Sequence, residues 1–364
     1  MMQIKIGTDE VFVAIVKALS MFGPLDLDGL VKIVPAYDKS LFSAISVGLS
    51  SGKFERIGNK ISLVAAPHGT APVVPECPCC RGRLAVPVAH ADALKERYLE
   101  ACSSAPTLTY LLNQRPVTRE TSWYRALYMA LRGDLIGKRI ALLGDDDLTS
   151  LAIGLLGQDC EIVVFEADDR LVSFLARQAD QLAISHFSTV EYNCREDVPE
   201  PFKGTFDVAL CDPSSSLFQI FLSRCVTLLK PGSGQIIYTF AGPTYLASTL
   251  EFQRLATDLK LQIFDMIPAF NRYALVHSEL VGGQDTLIRE IGGSEDVSFV
   301  EALVRLGTTG DTHPLTVGDS NASVKDLYGD RAFQRLQNLE NDPASKTEPT
   351  EVWNRLYEKF SPKD

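Results

Sequence analysis

The chain runs on two hydrophobic rhythms, and the change from one to the other divides it. Between Asp9 and Ser20 apolar residues fall at Val11, Ile15, Ala18 and Leu19, the spacing of a helix with one covered face. Asp26–Val34 and Ser40–Ser50 read as two further short helices. Two β-rich pieces, Lys53–Ile57 and Lys60–Val64, then meet at Gly58-Asn59. Three helices and a hairpin predict a winged helix-turn-helix over residues 1–65. From Leu135 to His277 the rhythm becomes apolar strand, helix, apolar strand. The predicted strands are Arg139–Leu143, Glu161–Ala167, Thr189–Tyr192, Phe206–Cys211, Gln235–Phe240, Gln262–Ile267 and Tyr273–His277. Helical periodicity fills Arg170–Leu182, Leu217–Leu229 and Thr244–Leu259.

Strands that alternate with helices imply a mostly parallel, doubly wound sheet. Only Pro268-Ala-Phe-Asn-Arg272 separates the last two predicted strands, too short for a crossover, so that pair is expected to be antiparallel. The expected fold class is therefore α/β: a Rossmann-like, class I methyltransferase-type sheet with a terminal antiparallel hairpin, behind an N-terminal winged-helix domain. Residues 66–115 read as a linker with a cysteine knuckle and a helix at Asp92–Ala101. Residues 116–281 form the catalytic domain. Residues 282–364 are an acidic C-terminal appendage, helical in patches at Val297–Leu306, Val324–Asn338 and Val352–Phe360.

Charge narrows the partners. With 35 basic against 46 acidic side chains and a net charge of −11, the chain is a poor match for nucleic acid and suits a cationic small molecule. The third predicted helix, which would enter a DNA groove, carries only Lys39 near its start, so the N-terminal domain reads as a docking or dimerisation module and the protein as a homodimer. No stretch reaches the roughly 20 apolar residues that cross a bilayer, and the N-terminus lacks a signal-peptide core. A cytoplasmic protein without a membrane partner is expected. The eight cysteines do not form a secreted disulfide framework, and Cys160, Cys194, Cys211 and Cys225 fall in apolar runs. Cys77 and Cys80 have the spacing of a zinc knuckle, with His68 and His90 as conceivable further ligands. There is no second cysteine pair, so the expectation is that no metal is required.

The chemistry gathers at predicted strand ends, where doubly wound sheets bind ligands. Gly144 and three consecutive carboxylates, Asp145, Asp146 and Asp147, close the first strand of the sheet. A triple negative charge there repels the pyrophosphate of a dinucleotide and suits a cationic nucleoside without phosphate, although Asp147 could also simply cap the following helix. Glu166, with Asp168, ends the second strand, where an acid accepts from ribose hydroxyls. Asn193 ends the third, a place for adenine contacts, and Asp212-Pro213-Ser214 ends the fourth. An adenosyl sulfonium alkylating an amine fits this set: some acids hold ammonium groups while one takes the proton from the attacking nitrogen.

The motif Gly144-Asp-Asp-Asp-Leu-Thr-Ser150 resembles the signature of the branched-chain polyamine synthases, the N(4)-bis(aminopropyl)spermidine synthase family. Similar pieces follow in order: Asn113-Gln-Arg-Pro-Val-Thr-Arg-Glu-Thr121 with Arg125, Gly133–Lys138, Glu166-Ala-Asp-Asp-Arg170, Cys194-Arg195 with Pro199, Phe206-Asp207, Asp212-Pro213 and Phe221-Leu-Ser-Arg224. The resemblance implies aminopropyl transfer from decarboxylated S-adenosylmethionine to a polyamine, releasing methylthioadenosine. It makes Asp146 or Asp147 the proton acceptor and gives Asp212, with Gln114 and Ser214, to the amine. Gly144, Asp145, Glu166, Asp168 and Asn193 would hold the nucleoside. The chain departs from the family at Asp212-Pro-Ser-Ser, where Asp-Pro-Pro is usual, and at Asn193 and Glu166, where acids and Asp are usual. Two other readings remain open: a methyl- or other alkyltransferase using S-adenosylmethionine on a small amine, and a polyamine-sensing DNA-binding regulator.

Overall fold

A computed structural model describes residues 8–318, except 35, 37, 65–76, 78, 85–90, 108–111, 113, 116, 157–158, 214–216, 243–245, 275–286, 288–289 and 293–296. His68, His90, Ser214 and the helices expected at 324–338 and 352–360 lie outside the described residues. The chain divides into two compact units, one of residues 1–82, 241–251 and 267–302, the other of 83–240, 252–266 and 303–364.

The first unit contains helices α1 (Thr8–Phe22), α2 (Leu27–Ile33) and α3 (Asp38–Ser50), then strands β1 (Phe54–Ile57) and β2 (Lys60–Leu63). The strands pair antiparallel, with Ile57 opposite Lys60 across the Gly58 turn. The periodic residues of the helices form its core, Val11, Ile15, Leu30, Leu41, Phe42 and Ile45 packing with Phe54, Ile61, Ile291 and Val300. Asp26 caps α2 by accepting from the Gly29 amide at 2.9 Å. The α3–β1 packing is close: a Cβ built on Gly48 would lie 2.0 Å from Cδ2 of Phe54, whose ring is stacked on Phe12. Gly48→Ala would gain about 1 kcal/mol of helix propensity but force an overlap of the kind that costs about 1–3 kcal/mol. The ring cannot swing away without breaking its stack, so the overlap wins and a lower melting temperature is expected in calorimetry.

The second unit carries α4 (Ala91–Cys102), α5 (Arg119–Leu131) and the alternating run β3 (Arg139–Leu143), α6 (Thr149–Leu155), β4 (Glu161–Glu166), α7 (Asp169–Gln181), β5 (Phe187–Glu191), β6 (Val208–Cys211), α8 (Phe218–Leu228) and β7 (Ile236–Ala241). After α9 (Leu246–Asp258) come two long strands, β8 (Leu261–Ala274) and β9 (Val297–Thr308). The seven-stranded sheet has the order β5-β4-β3-β6-β7-β9-β8. Strands β3 to β7 pair parallel wherever they are neighbours. β9 runs the other way. Its end meets the start of β7, Thr308 donating to the Gln235 carbonyl at 2.9 Å. Its start meets the end of β8, Ser298 Oγ donating to the Tyr273 carbonyl at 3.2 Å. A mixed, methyltransferase-like Rossmann sheet results.

Two expectations are corrected here. The terminal hairpin is not folded at Pro268–Arg272: β8 passes straight through, burying Phe270, Asn271, Arg272 and Tyr273. Pro268 is accommodated because β8 is an edge strand and needs no donor there, while Ala269 takes the left-handed φ of 52°. The antiparallel partner is instead β9, in a stretch expected to be helical and part of an appendage. Val297–Leu306 is apolar almost throughout, a run that periodicity cannot assign between buried helix and buried strand. Among the described residues, no helix is long and apolar enough to cross a membrane.

Candidate active site

Strand register assembles the site. Leu143 of β3 lies beside Phe165 of β4 and beside Cys211 of β6. The residues that follow, Gly144, Glu166 and Asp212, therefore leave the sheet at one level. This is also where successive crossovers depart to opposite sides of β3, the switch point at which open α/β sheets bind ligands. Gly144 turns the chain with a φ of 78°, a conformation that strains any other side chain, and its amide donates to the Phe165 carbonyl at 2.8 Å.

The three carboxylates of the loop separate into three roles. Asp145 is buried and caps α6: its carboxylate accepts from the Thr149 amide at 2.7 Å, from the Ser150 amide and from the Ser150 hydroxyl. Sequence reasoning offered Asp147 as that cap. Leu148 has the left-handed φ of 58°, however, and the first free amides of α6 point back to Asp145. Burial pushes the Asp145 carboxyl up to about 8, against the opposing hydrogen bonds from Ser150.

Asp147 is also buried, but it faces α5. One carboxylate oxygen accepts from the Val117 amide at 3.0 Å and the other from Arg125 Nη1 at 2.7 Å. Its carbonyl accepts from Ser122 Oγ and from Arg119 Nη1 at 2.8 and 3.2 Å. Asp146, between them, is half-buried, and no described group donates to its carboxylate. Burial first, then the charges of Asp147, Glu166, Asp212 and Asp145, raise its pKa well above the carboxylate range.

Glu166 is buried and accepts from three backbone amides, Asp145 at 2.9 Å, Ala167 at 2.8 Å and Asp168 at 2.9 Å. It thereby ties the end of β4 to the loop after β3. Burial raises its pKa although these amides oppose the shift. Asp168 caps α7 through the Arg170 amide and forms a two-pronged pair with Arg170, at 2.9 Å to Nε and 2.6 Å to Nη2. Its burial works to raise the pKa, but the hydrogen bonds and charge of Arg170 hold it below the ordinary value. Gln114 donates to Asp168 at 3.3 Å, at the end of β4. Asn193 spends its side-chain oxygen on the Arg195 amide at 3.0 Å.

In the sequence Arg125 stands only within a motif and carries no assigned role, since no periodicity marks α5. That helix is buried without a break from Thr121 to Met129, the polar Thr121, Ser122 and Arg125 included. Arg125 is about 1% exposed and spans two of the acids. Its Nη1 pairs with Asp147 at 2.7 Å and its Nη2 with Asp212 at 2.5 Å, while its plane lies 3.8 Å from the Phe240 ring centroid. A planar, permanently charged fork is what such a bridge requires. Five acids, Asp145, Asp146, Asp147, Glu166 and Asp212, thus converge on a loop whose guanidinium contacts come from Arg125 and Arg119. The raised pKa values of Asp145, Asp146 and Glu166 mean that a positively charged guest would favour their ionised forms.

The model of the branched-chain polyamine synthase A C-terminal domain matches residues 93–332. N(4)-bis(aminopropyl)spermidine synthase of Methanocaldococcus jannaschii is 34% identical over 204 residues, covering 54% of this chain and 57% of the relative. The enzyme of the same name from Thermus thermophilus is 30% identical over 232 residues, covering 62% and 66%. The chain thus spans little more than half the length of most curated relatives it matches. The crystal structure of the Thermus thermophilus branched-chain polyamine synthase in complex with N4-aminopropylspermidine and 5'-methylthioadenosine superposes with a TM-score of 0.69 at 24% identity, over 85% of this chain and 89% of that one. That likeness supports the fold.

Proposed function

The chain belongs to the branched-chain polyamine synthase family, and from that premise we propose that it transfers an aminopropyl group from decarboxylated S-adenosylmethionine to a polyamine nitrogen. The observation that carries this reading is the Asp146 carboxyl, half-buried among four other acids and without a described donor. A carboxyl with a raised pKa is a stronger base once ionised, and a sulfonium and ammonium groups entering beside it favour the ionised form. Asp146 then accepts the proton of the attacking nitrogen. The nitrogen lone pair forms the new N–C bond, the C–S bond breaks with its electrons passing to sulfur, and neutral methylthioadenosine leaves. Asp212, fixed by Arg125, holds an ammonium group of the acceptor. Gly144, Asp145 and Glu166 shape the nucleoside end, with Asp168 and Gln114 behind them and Asn193 toward the base. Asp147 anchors the loop to α5 rather than touching substrate. The N-terminal three helices and hairpin fit a winged-helix docking module, whose third helix carries Lys39 as its one basic residue.

Donor identity is the test. Incubation with decarboxylated or intact S-adenosylmethionine and a mixed amine panel, followed by mass spectrometry, is expected to yield aminopropylated amine and methylthioadenosine from the decarboxylated donor only. The same donor at about 100 times its Kd is expected to stabilise the fold by about 2.7 kcal/mol in thermal melts. Methylated amine and S-adenosylhomocysteine from the intact donor would overturn the reading in favour of a methyltransferase.

A further inference from the structure

The thiols of Cys77, Cys79 and Cys80 converge: their sulfur atoms all lie within 4.8 Å of one another, and the Cys77 and Cys79 sulfurs are 3.1 Å apart. We propose that these three cysteines bind a thiophilic divalent cation, with zinc as the reference ion. A tetrahedral zinc with Zn–S bonds of about 2.3 Å holds its sulfurs roughly 3.8 Å apart, so movements under about 1 Å would seat the ion. The loop is shaped for this by contacts that do not involve sulfur. Arg81 donates its amide to the Cys77 carbonyl at 2.8 Å, closing a turn, and Arg81 and Gly82 then reverse the chain with φ values of 51° and 80°. The buried Arg272 fastens the turn by donating to the Arg81 carbonyl at 3.0 Å. The amides of Cys80 and Cys79 donate to the Cys77 sulfur, as backbone amides do to a metal-bound thiolate.

Burial does not account for the convergence of the two outer thiols. Thiols are weak hydrogen-bond partners, and Cys77 and Cys79 are exposed, where they gain little from burial. Three thiolates on a divalent ion leave one surplus negative charge and a fourth position for a further donor. Sequence reasoning set metal aside because it counted Cys77 and Cys80 as a lone pair. Cys79 makes the set three.

The test uses the full-length chain without a histidine tag, stripped with chelator under reducing conditions and titrated with zinc alone and cobalt alone. One equivalent of each is expected to bind, cobalt giving a thiolate charge-transfer band. Cys77→Ser, Cys79→Ser and Cys80→Ser should each weaken zinc binding by at least about 100-fold, in line with an equal share of the energy of a structural zinc site. No uptake by the folded chain, cobalt binding without that band, or native affinity in Cys79→Ser would overturn the proposal. Should Cys80→Ser, the buried member, fail to fold, the two exposed variants carry the comparison.

Discussion

Asp146→Asn is expected to lower kcat by about 100- to 10,000-fold, the range for loss of a general base, and at the same time to stabilise the protein at alkaline pH. The two effects share one cause. The native Asp146 carboxyl has a pKa well above 3.8, because burial and four neighbouring acids disfavour its charge. In the unfolded chain it titrates near that ordinary value. Between the two pKa values the folded protein holds a proton that the unfolded chain has released. Stability is therefore full below the ordinary pKa and declines as pH rises toward the folded one. An amide at this position cannot ionise and removes that share of the slope. Asp145, whose carboxyl burial pushes up to about 8, and Glu166, also raised first by burial, still contribute to the slope in the variant. Thermal melts from pH 5 to 9 should show the variant curve flatter and higher at the alkaline end, alongside the lost turnover. Unchanged kcat would remove Asp146 from the chemistry. Loss of activity together with a lower melting temperature at every pH would make it a structural residue.

What the sequence revealed follows from which forces write themselves locally. Strand β3 reads true residue for residue, because the four-residue apolar run Ile140–Leu143 between Arg139 and Gly144 has one physical outcome in an α/β chain. The acids at the ends of β3, β4 and β6 were legible for the same reason: polar residues at the ends of buried strands stand out. Their partners did not. The bridge from Arg125 to Asp147 and Asp212 joins residues 22 and 87 positions apart, and no local pattern records it. α5 escaped because it is buried all round from Thr121 to Met129, with polar Thr121, Ser122 and Arg125 among apolar neighbours, so no helical alternation of covered and exposed positions marks it. β9 was misread for the opposite reason, since a strand buried on both faces loses the alternation that identifies it.

Arg125→Met is expected to be the most destabilising change at the site, and its rescue separates structure from chemistry. The substitution keeps much of the apolar stem over Phe240 but removes the cation that faces Asp147 and Asp212. Breaking a buried ion pair by deleting one partner costs about 3–5 kcal/mol, because the abandoned charge stays buried. For a chain of 364 residues that corresponds to a melting temperature lower by about 4–7 °C. Arg125→Lys should help little: a single ammonium cannot serve two carboxylates held on either side of a planar fork. The double variant Arg125→Met/Asp147→Asn removes the buried charge that Asp147 turns toward α5 and should regain most of the stability, measured by denaturant melts. Its activity should stay low, chiefly through a raised KM for the amine, because Asp212 has lost the group that aims it. Full recovery of KM in the double variant would mean that the Arg125–Asp212 contact positions nothing, and that the bridge serves folding alone.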